Sequence, residues 1–132
     1  MGDGKERRQQ FRFCHGNLNV YITHKYAWGL LHKKHVATWK DFNHTGMAFI
    51  TECRFEIGQR LSLNLLMKDH NRAELHNVIA VVRNIHGLNN YYRYGVEFDF
   101  LSEEHMRQPQ VKTILIQIEK ALQSILSELE SN

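Results

Sequence analysis

Residues 39–49 read WKDFNHTGMAF. Two strand-like runs meet there across the polar segment D-F-N-H-T-G, and the reading of that segment decides the fold. Asp41 and Asn43 carry short polar side chains that can bond nearby backbone amides and tighten a turn, and Gly46 can take positive φ before the next run. A hairpin is predicted. Upstream, HVATWK (35–40) alternates, with Val36 and Thr38 opposite Ala37 and Trp39. Earlier still, NLNVYIT (17–23) puts Leu18, Val20 and Ile22 on one face, the period of a half-buried strand. Downstream come MAFIT (47–51), RLSLNLLM (60–67) after a turn at EIGQ, ELHNVIAVVRNI (74–85) after the polar KDHNRAE, and YYRYGVEFDF (91–100) after HGLNN. Six short strands separated by turn signals, with one proline in the chain, predict a mainly β fold: a small antiparallel barrel or sandwich.

The period then changes. Val111, Ile114, Leu115, Ile118, Leu122, Ile125, Leu126 and Leu129 recur at spacings of three and four, the stripe of an amphipathic helix. Pro109 suits its first turn, where a missing N–H costs nothing. Ser102 before two glutamates reads as the cap of a shorter preceding turn. The stripe is predicted to pack on the β structure. A partner-binding face is the sharper alternative, because a stripe of this length exceeds what closing a small barrel requires.

A chain of 132 residues with 42% hydrophobic and 23% charged residues points to one domain with a real core. No apolar stretch approaches the ~20 residues of a membrane span, and the polar N-terminus lacks the apolar centre of a signal peptide, so a cytoplasmic protein that does not engage the membrane is expected. Cys14 and Cys53 form no C-x-x-C pair and read as small buried hydrophobes. His32 and His35 in HKKH have no cysteine or carboxylate nearby to complete a tetrahedral site, so they read as surface histidines and no metal is expected.

Net charge is +3, but it is unevenly placed. Residues 1–40 carry eight Lys/Arg against two Asp/Glu, and residues 41–132 carry nine against twelve. One end of the chain is built to meet an anion, unlike a nucleic-acid binder with a basic stripe across its whole domain. Within that end, KERRQQFR (5–12) gathers Arg7, Arg8 and Arg12 just before the first apolar segment. Taken alone it is a solvated terminal run.

Taken together, these stretches resemble the PilZ domain family along nearly the whole chain. The family is marked by R-x-x-x-R shortly before the first strand and D/N-x-S-x-x-G at the second turn of a six-stranded barrel. Arg8-Gln9-Gln10-Phe11-Arg12 matches the first, and Asp41-Phe42-Asn43-His44-Thr45-Gly46 matches the second, with Asn43 in place of the family's serine. YGVEF (94–98) and LSEE (101–104) look like the family's last strand and its exit toward a C-terminal helix. The resemblance implies a six-stranded antiparallel β-barrel (13–104), a flexible basic arm (1–12) and a C-terminal amphipathic α-helix (105–132) packed on the barrel.

It also implies a receptor for cyclic di-GMP, the bacterial second messenger, with Arg7, Arg8, Arg12, Asp41, Asn43 and Gly46 as ligand-binding residues and no further cofactor. The residue chemistry agrees. The planar fork of arginine matches the O6/N7 edge of guanine, grips phosphate oxygens and stacks on a purine. An ionised Asp41 accepts from the N1–H and N2–H₂ edge of guanine. Asn43 keeps donor and acceptor capacity but is longer and planar. In proteins that resemble this one, an arginine directly before R-x-x-x-R accompanies an intercalated pair of cyclic di-GMP molecules, and Arg7 holds that position. A single-domain receptor of this kind acts on a separate downstream protein, which the sequence does not identify.

Two other functions compete. One is a PilZ-like scaffold that has lost nucleotide binding. The other is a small-barrel binder of single-stranded nucleic acid using the basic N-terminal third and the tyrosines of NNYYRYG. Those tyrosines alternate along a strand, so at least one belongs to the core, which disfavours nucleic acid. No Ser/His/Asp order, reactive cysteine context, Gly-rich phosphate loop or paired carboxylates point to an enzyme.

Overall fold

Alternating apolar residues in six successive runs leave one face of each strand to be buried, which either a barrel or a pair of packed sheets can do. The computed structural model of the protein describes residues 17–25, 32–68 and 72–131. Its strands are β1 (Leu18–Lys25), β2 (His32–Asn43), β3 (Gly46–Thr51), β4 (Arg60–Met67), β5 (Ala73–Gly87) and β6 (Tyr92–Phe98). They pair antiparallel throughout, in the closed order β1-β2-β3-β6-β5-β4. A barrel, not an open sandwich, is therefore the outcome. β2 reaches Asn43 and β5 reaches Gly87, beyond the runs that simple alternation marks.

The interior is filled. Leu18, Val20 and Ile22 of β1 face Leu61, Leu63 and Leu65 of β4, and Trp39, Phe49 and Tyr94 occupy the other side, all nearly inaccessible to solvent. Each such side chain contributes about 1.5–3 kcal/mol by leaving water. Cys53 is half-buried against this core, Cys14 lies outside the described residues, and His35 is half-buried on β2.

After β6 the chain makes a 3₁₀ turn (Glu104–Arg107) and a long helix, α1 (Pro109–Ser131). Pro109 is the first helical residue. Leu115, Ile118 and Leu122 are buried where α1 meets β2 and β5, so the inner part of the stripe does pack on the barrel. Ser102 does not cap the 3₁₀ turn. The residue before that turn is Glu103, which makes no side-chain cap, and the Ser102 hydroxyl donates instead to Asp99 Oδ2 at 2.5 Å. Asp99 Oδ1 accepts from the amides of Leu101 and Ser102 at 3.0 and 3.1 Å. The Ser102 hydroxyl bond, followed by these amides, holds the Asp99 carboxyl below its ordinary pKa. Among the described residues no helix is long and apolar enough to cross a membrane, and no group of three His, Cys, Asp or Glu could hold a metal.

Tyr94 ties the β3–β4 connection to the core. Its hydroxyl donates to the Cys53 carbonyl at 2.6 Å and accepts from the Phe55 amide at 2.8 Å, and burial raises its pKa. Of the three tyrosines in NNYYRYG, Tyr94 is wholly core, Tyr92 half-buried and Tyr91 exposed. Tyr94→Phe leaves both buried backbone partners unsatisfied. We expect a loss of about 1–3 kcal/mol in chemical denaturation; an unchanged midpoint would mean that solvent or other groups take over both bonds.

Candidate functional site

Strand alternation decides which side chains can reach a ligand, and at Asp41 it is deliberately broken. Ala37 and Trp39 of β2 point inward, so an unbroken strand would bury Asp41 too. The register with β3 shifts between Trp39 and Asp41, with Trp39 opposite Phe49 and Asp41 opposite Ala48. Lys40 is the extra residue of a β-bulge, the usual device for re-aiming a side chain. Beyond it Phe42 enters the core, and Asp41 and Asn43 stand on the outer face.

The predicted hairpin follows. Asn43 pairs with Gly46 across a two-residue turn, His44-Thr45. Asn43 Oδ1 accepts from the Thr45 amide at 2.7 Å, the Gly46 amide at 3.0 Å and the Thr45 hydroxyl at 2.5 Å. An asparagine is well suited to that local clamp. The side-chain carbonyl oxygen of Asn43 is thus committed to the turn. Asp41 takes no part in the turn bonds; its Oδ1 accepts from the Phe42 amide at 2.9 Å.

The expected role of Gly46 is corrected. Gly58, at φ 84°, is the described glycine in the left-handed region, and Gly46 is not. Glycine is needed at 46 because β6 passes so close: an added Cβ would collide with the Val96 carbonyl oxygen and lie 3.4 Å from Glu97 Cα.

These residues border an open cleft of about 690 Å³ on the outer face of β2, β3, β6 and β5. Asp41, Asn43 and Gly46 form one side of it. Its floor is Ala48 and Gly95, paired across β3 and β6. The far side holds Arg83, Asn84 and Arg93, and Lys112 of α1 stands at one end with its ammonium 5.0 Å over the Phe100 ring. Arg83 Nε lies 3.3 Å from Glu97 Oε2. The structure therefore brings together three of the six sequence-predicted site residues. Arg7, Arg8 and Arg12 lie outside the described residues.

Sequence reasoning missed Arg83, Asn84, Arg93 and Lys112. Arg83 and Asn84 sit at a second bulge, in β5, Arg93 is an outward residue of β6 that borders the cleft only once β5 and β6 pair, and Lys112 reaches the cleft only through the path of the chain between β6 and α1. A further contact links the turn to α1: His44 Nδ1 lies 2.9 Å from Glu119 Oε2, with Glu119 mostly buried.

The family model of the PilZ domain matches residues 6–113. This chain belongs to the PilZ domain family. Among solved structures it is similar to the PilZ domain with cyclic di-GMP of YcgR from Escherichia coli, at a TM-score of 0.60 and 17% identity, covering 86% of this chain and 88% of that one. It is also similar to YcgR from Escherichia coli in complex with cyclic di-GMP (TM-score 0.52, 16% identity, 84% of this chain, 46% of that one). MrkH of K. pneumonia gives a TM-score of 0.55 at 20% identity, over 86% of this chain and 47% of that one. This chain thus spans about half the length of those two longer chains. No curated protein matches it in sequence. These likenesses establish the PilZ barrel as the fold.

Because Gly46 is required by strand contact, Gly46→Val should lower the melting temperature, with overpacking costing about 1–3 kcal/mol. An unchanged melting curve would mean that β3 and β6 separate there without penalty.

Proposed function

We propose that this protein is a cyclic di-GMP receptor whose site is completed when a basic arm, residues 1–12, folds over the cleft on the barrel, residues 13–104. The observation that carries this reading is the outward Asp41–Gly46 hairpin of a PilZ barrel, opening onto a cleft of about 690 Å³ with a floor of two small residues. Asp41 accepts from the N1–H and N2–H₂ edge of a guanine, the Asn43 NH₂ donates to the ligand, and the lack of a side chain at Gly46 keeps the approach open. Arg8 and Arg12 grip phosphate oxygens and the O6/N7 edge of guanine. Arg7 adds a third guanidinium, which offsets part of the repulsion between two stacked dianions, so that the chain takes an intercalated pair of ligands.

Binding orders the arm and shifts the hairpin, and the His44–Glu119 contact offers a route from the hairpin to the C-terminal segment, residues 105–132, where α1 meets a downstream protein in trans. The protein acts in the cytoplasm as a receptor, with no reaction of its own and no nucleic-acid ligand. Its only small-molecule requirement is cyclic di-GMP.

Calorimetric titration with cyclic di-GMP, using GMP and GTP as controls, tests this reading. The wild type should bind two ligands per chain. Arg8→Ala and Arg12→Ala should each lose about 1–3 kcal/mol of binding or more, with unchanged melting curves, since each removes a charged bidentate contact. Arg7→Leu should shift the stoichiometry toward one. Wild-type affinity in both Arg8→Ala and Arg12→Ala would sink the arm's role, and a wild type that binds no cyclic di-GMP would leave a PilZ scaffold whose Asn43 serves the turn alone.

A further inference from the structure

Two β-bulges bracket one row of the barrel's outer face. The first, at Lys40 in β2, turns Asp41 outward. The second lies in β5, where Val82 pairs with Val96 and Asn84 with Gly95, so that Arg83 is the extra residue. Val78, Ala80 and Val82 point into the core, and unbroken alternation would bury Asn84 behind them. The bulge exposes it instead. The outer row then reads Asp41, Ala48, Gly95, Asn84 from β2 through β3 and β6 to β5. Strands lie about 4.8 Å apart, which puts the two polar ends of this row about 14 Å from each other with only a methyl group and a hydrogen between them.

The Asn84 amide lies down on that floor. A Cβ on Gly95 would come within 2.6 Å of its Nδ2 and 2.8 Å of its Cγ, so the absence of a side chain at 95 is what admits the amide. One outward position along β6, Arg93 borders the same cleft. Neither the Asn84 amide nor the Arg93 guanidinium bonds another described residue, whereas Arg83 is paired with Glu97.

We propose that Asn84 and Arg93 form a second ligand-contacting wall, opposite Asp41, in which the Asn84 amide, held over Gly95, bonds the edge of a guanine seated over Ala48 and Arg93 takes the adjacent phosphodiester. The inference rests on the reading of the cleft as a cyclic di-GMP site. The two walls differ in chemistry. An ionised Asp41 only accepts, which suits the donor edge of a guanine, while a carboxamide both donates and accepts and suits an edge that mixes the two. The small side chain of Ala48 leaves the space between the two walls open to a flat base. The carboxylates that border the cleft, Asp41 and Glu97, would repel a dianion, and Arg93 supplies positive charge beside the floor that no described carboxylate neutralises.

The test is calorimetric titration of the full chain with cyclic di-GMP for the wild type, Asn84→Ala, Asn84→Asp and Arg93→Ala, alongside melting curves. Both side chains are exposed, so the melting curves should not change. Asn84→Ala should raise Kd about tenfold. Asn84→Asp, equal in shape, should raise it further by removing the donor and adding a repulsive charge. Arg93→Ala should raise Kd about tenfold and weaken its dependence on salt. Wild-type Kd values in Asn84→Asp and Arg93→Ala, with the wild type binding normally, would overturn this inference. A wild type that binds no cyclic di-GMP would overturn the underlying reading of the cleft instead.

Discussion

A six-stranded barrel filled by Trp39, Phe49 and Tyr94 has no room for a ligand inside it. Every recognition group must therefore stand on the outer face, where strand pairing alone leaves a plain surface of alternating side chains. The bulges at Lys40 and Arg83 answer that constraint. Each changes the phase of its strand by one residue, so that a position alternation would have buried becomes exposed. At Lys40 the core is kept on both sides of the bulge: Trp39 before it and Phe42 after it are both buried. Packing and recognition are thus served by the same strand.

The local chemistry of the hairpin follows from the same economy. Asn43 Oδ1 holds the turn through two amides and a hydroxyl, and Asp41 is left out of that clamp. The turn is rigid because its orphan donors are satisfied, and Gly46 lets β6 press against its base. His44 leans from the turn onto Glu119, so the hairpin is in contact with both the cleft and α1. A change in the hairpin would be felt at a helix that the barrel's own core does not need along its full length: Leu122 is buried, whereas Ile125 and Leu126 are only partly so.

Much of this was legible in the sequence. Period-two runs such as Leu18–Val20–Ile22 mark strands, the change to spacings of three and four marks α1, and a motif of polar turn residues ending in glycine marks the hairpin. What was hidden depended on relations between strands. No local pattern distinguishes a glycine that needs positive φ from one that another strand crosses closely, so Gly46 was expected in the left-handed region and is not there. Ser102 looked like a cap because the residues after it fit one, but its hydroxyl turns back to donate to the Asp99 carboxylate three residues earlier. Arg93 looks like an ordinary surface residue, and alternation puts Asn84 inward, until the β5 bulge and the pairing of β5 with β6 bring both to the cleft.

The most direct measurement is the map of backbone amide chemical shifts on addition of cyclic di-GMP. The largest changes should fall on the cleft, at the amides of Asn43–Ala48 in the hairpin and β3 and of Tyr94–Glu97 in β6, with β4 on the opposite side of the barrel nearly silent. Changes concentrated in β4, or no changes at saturating ligand, would contradict a ligand site on this face.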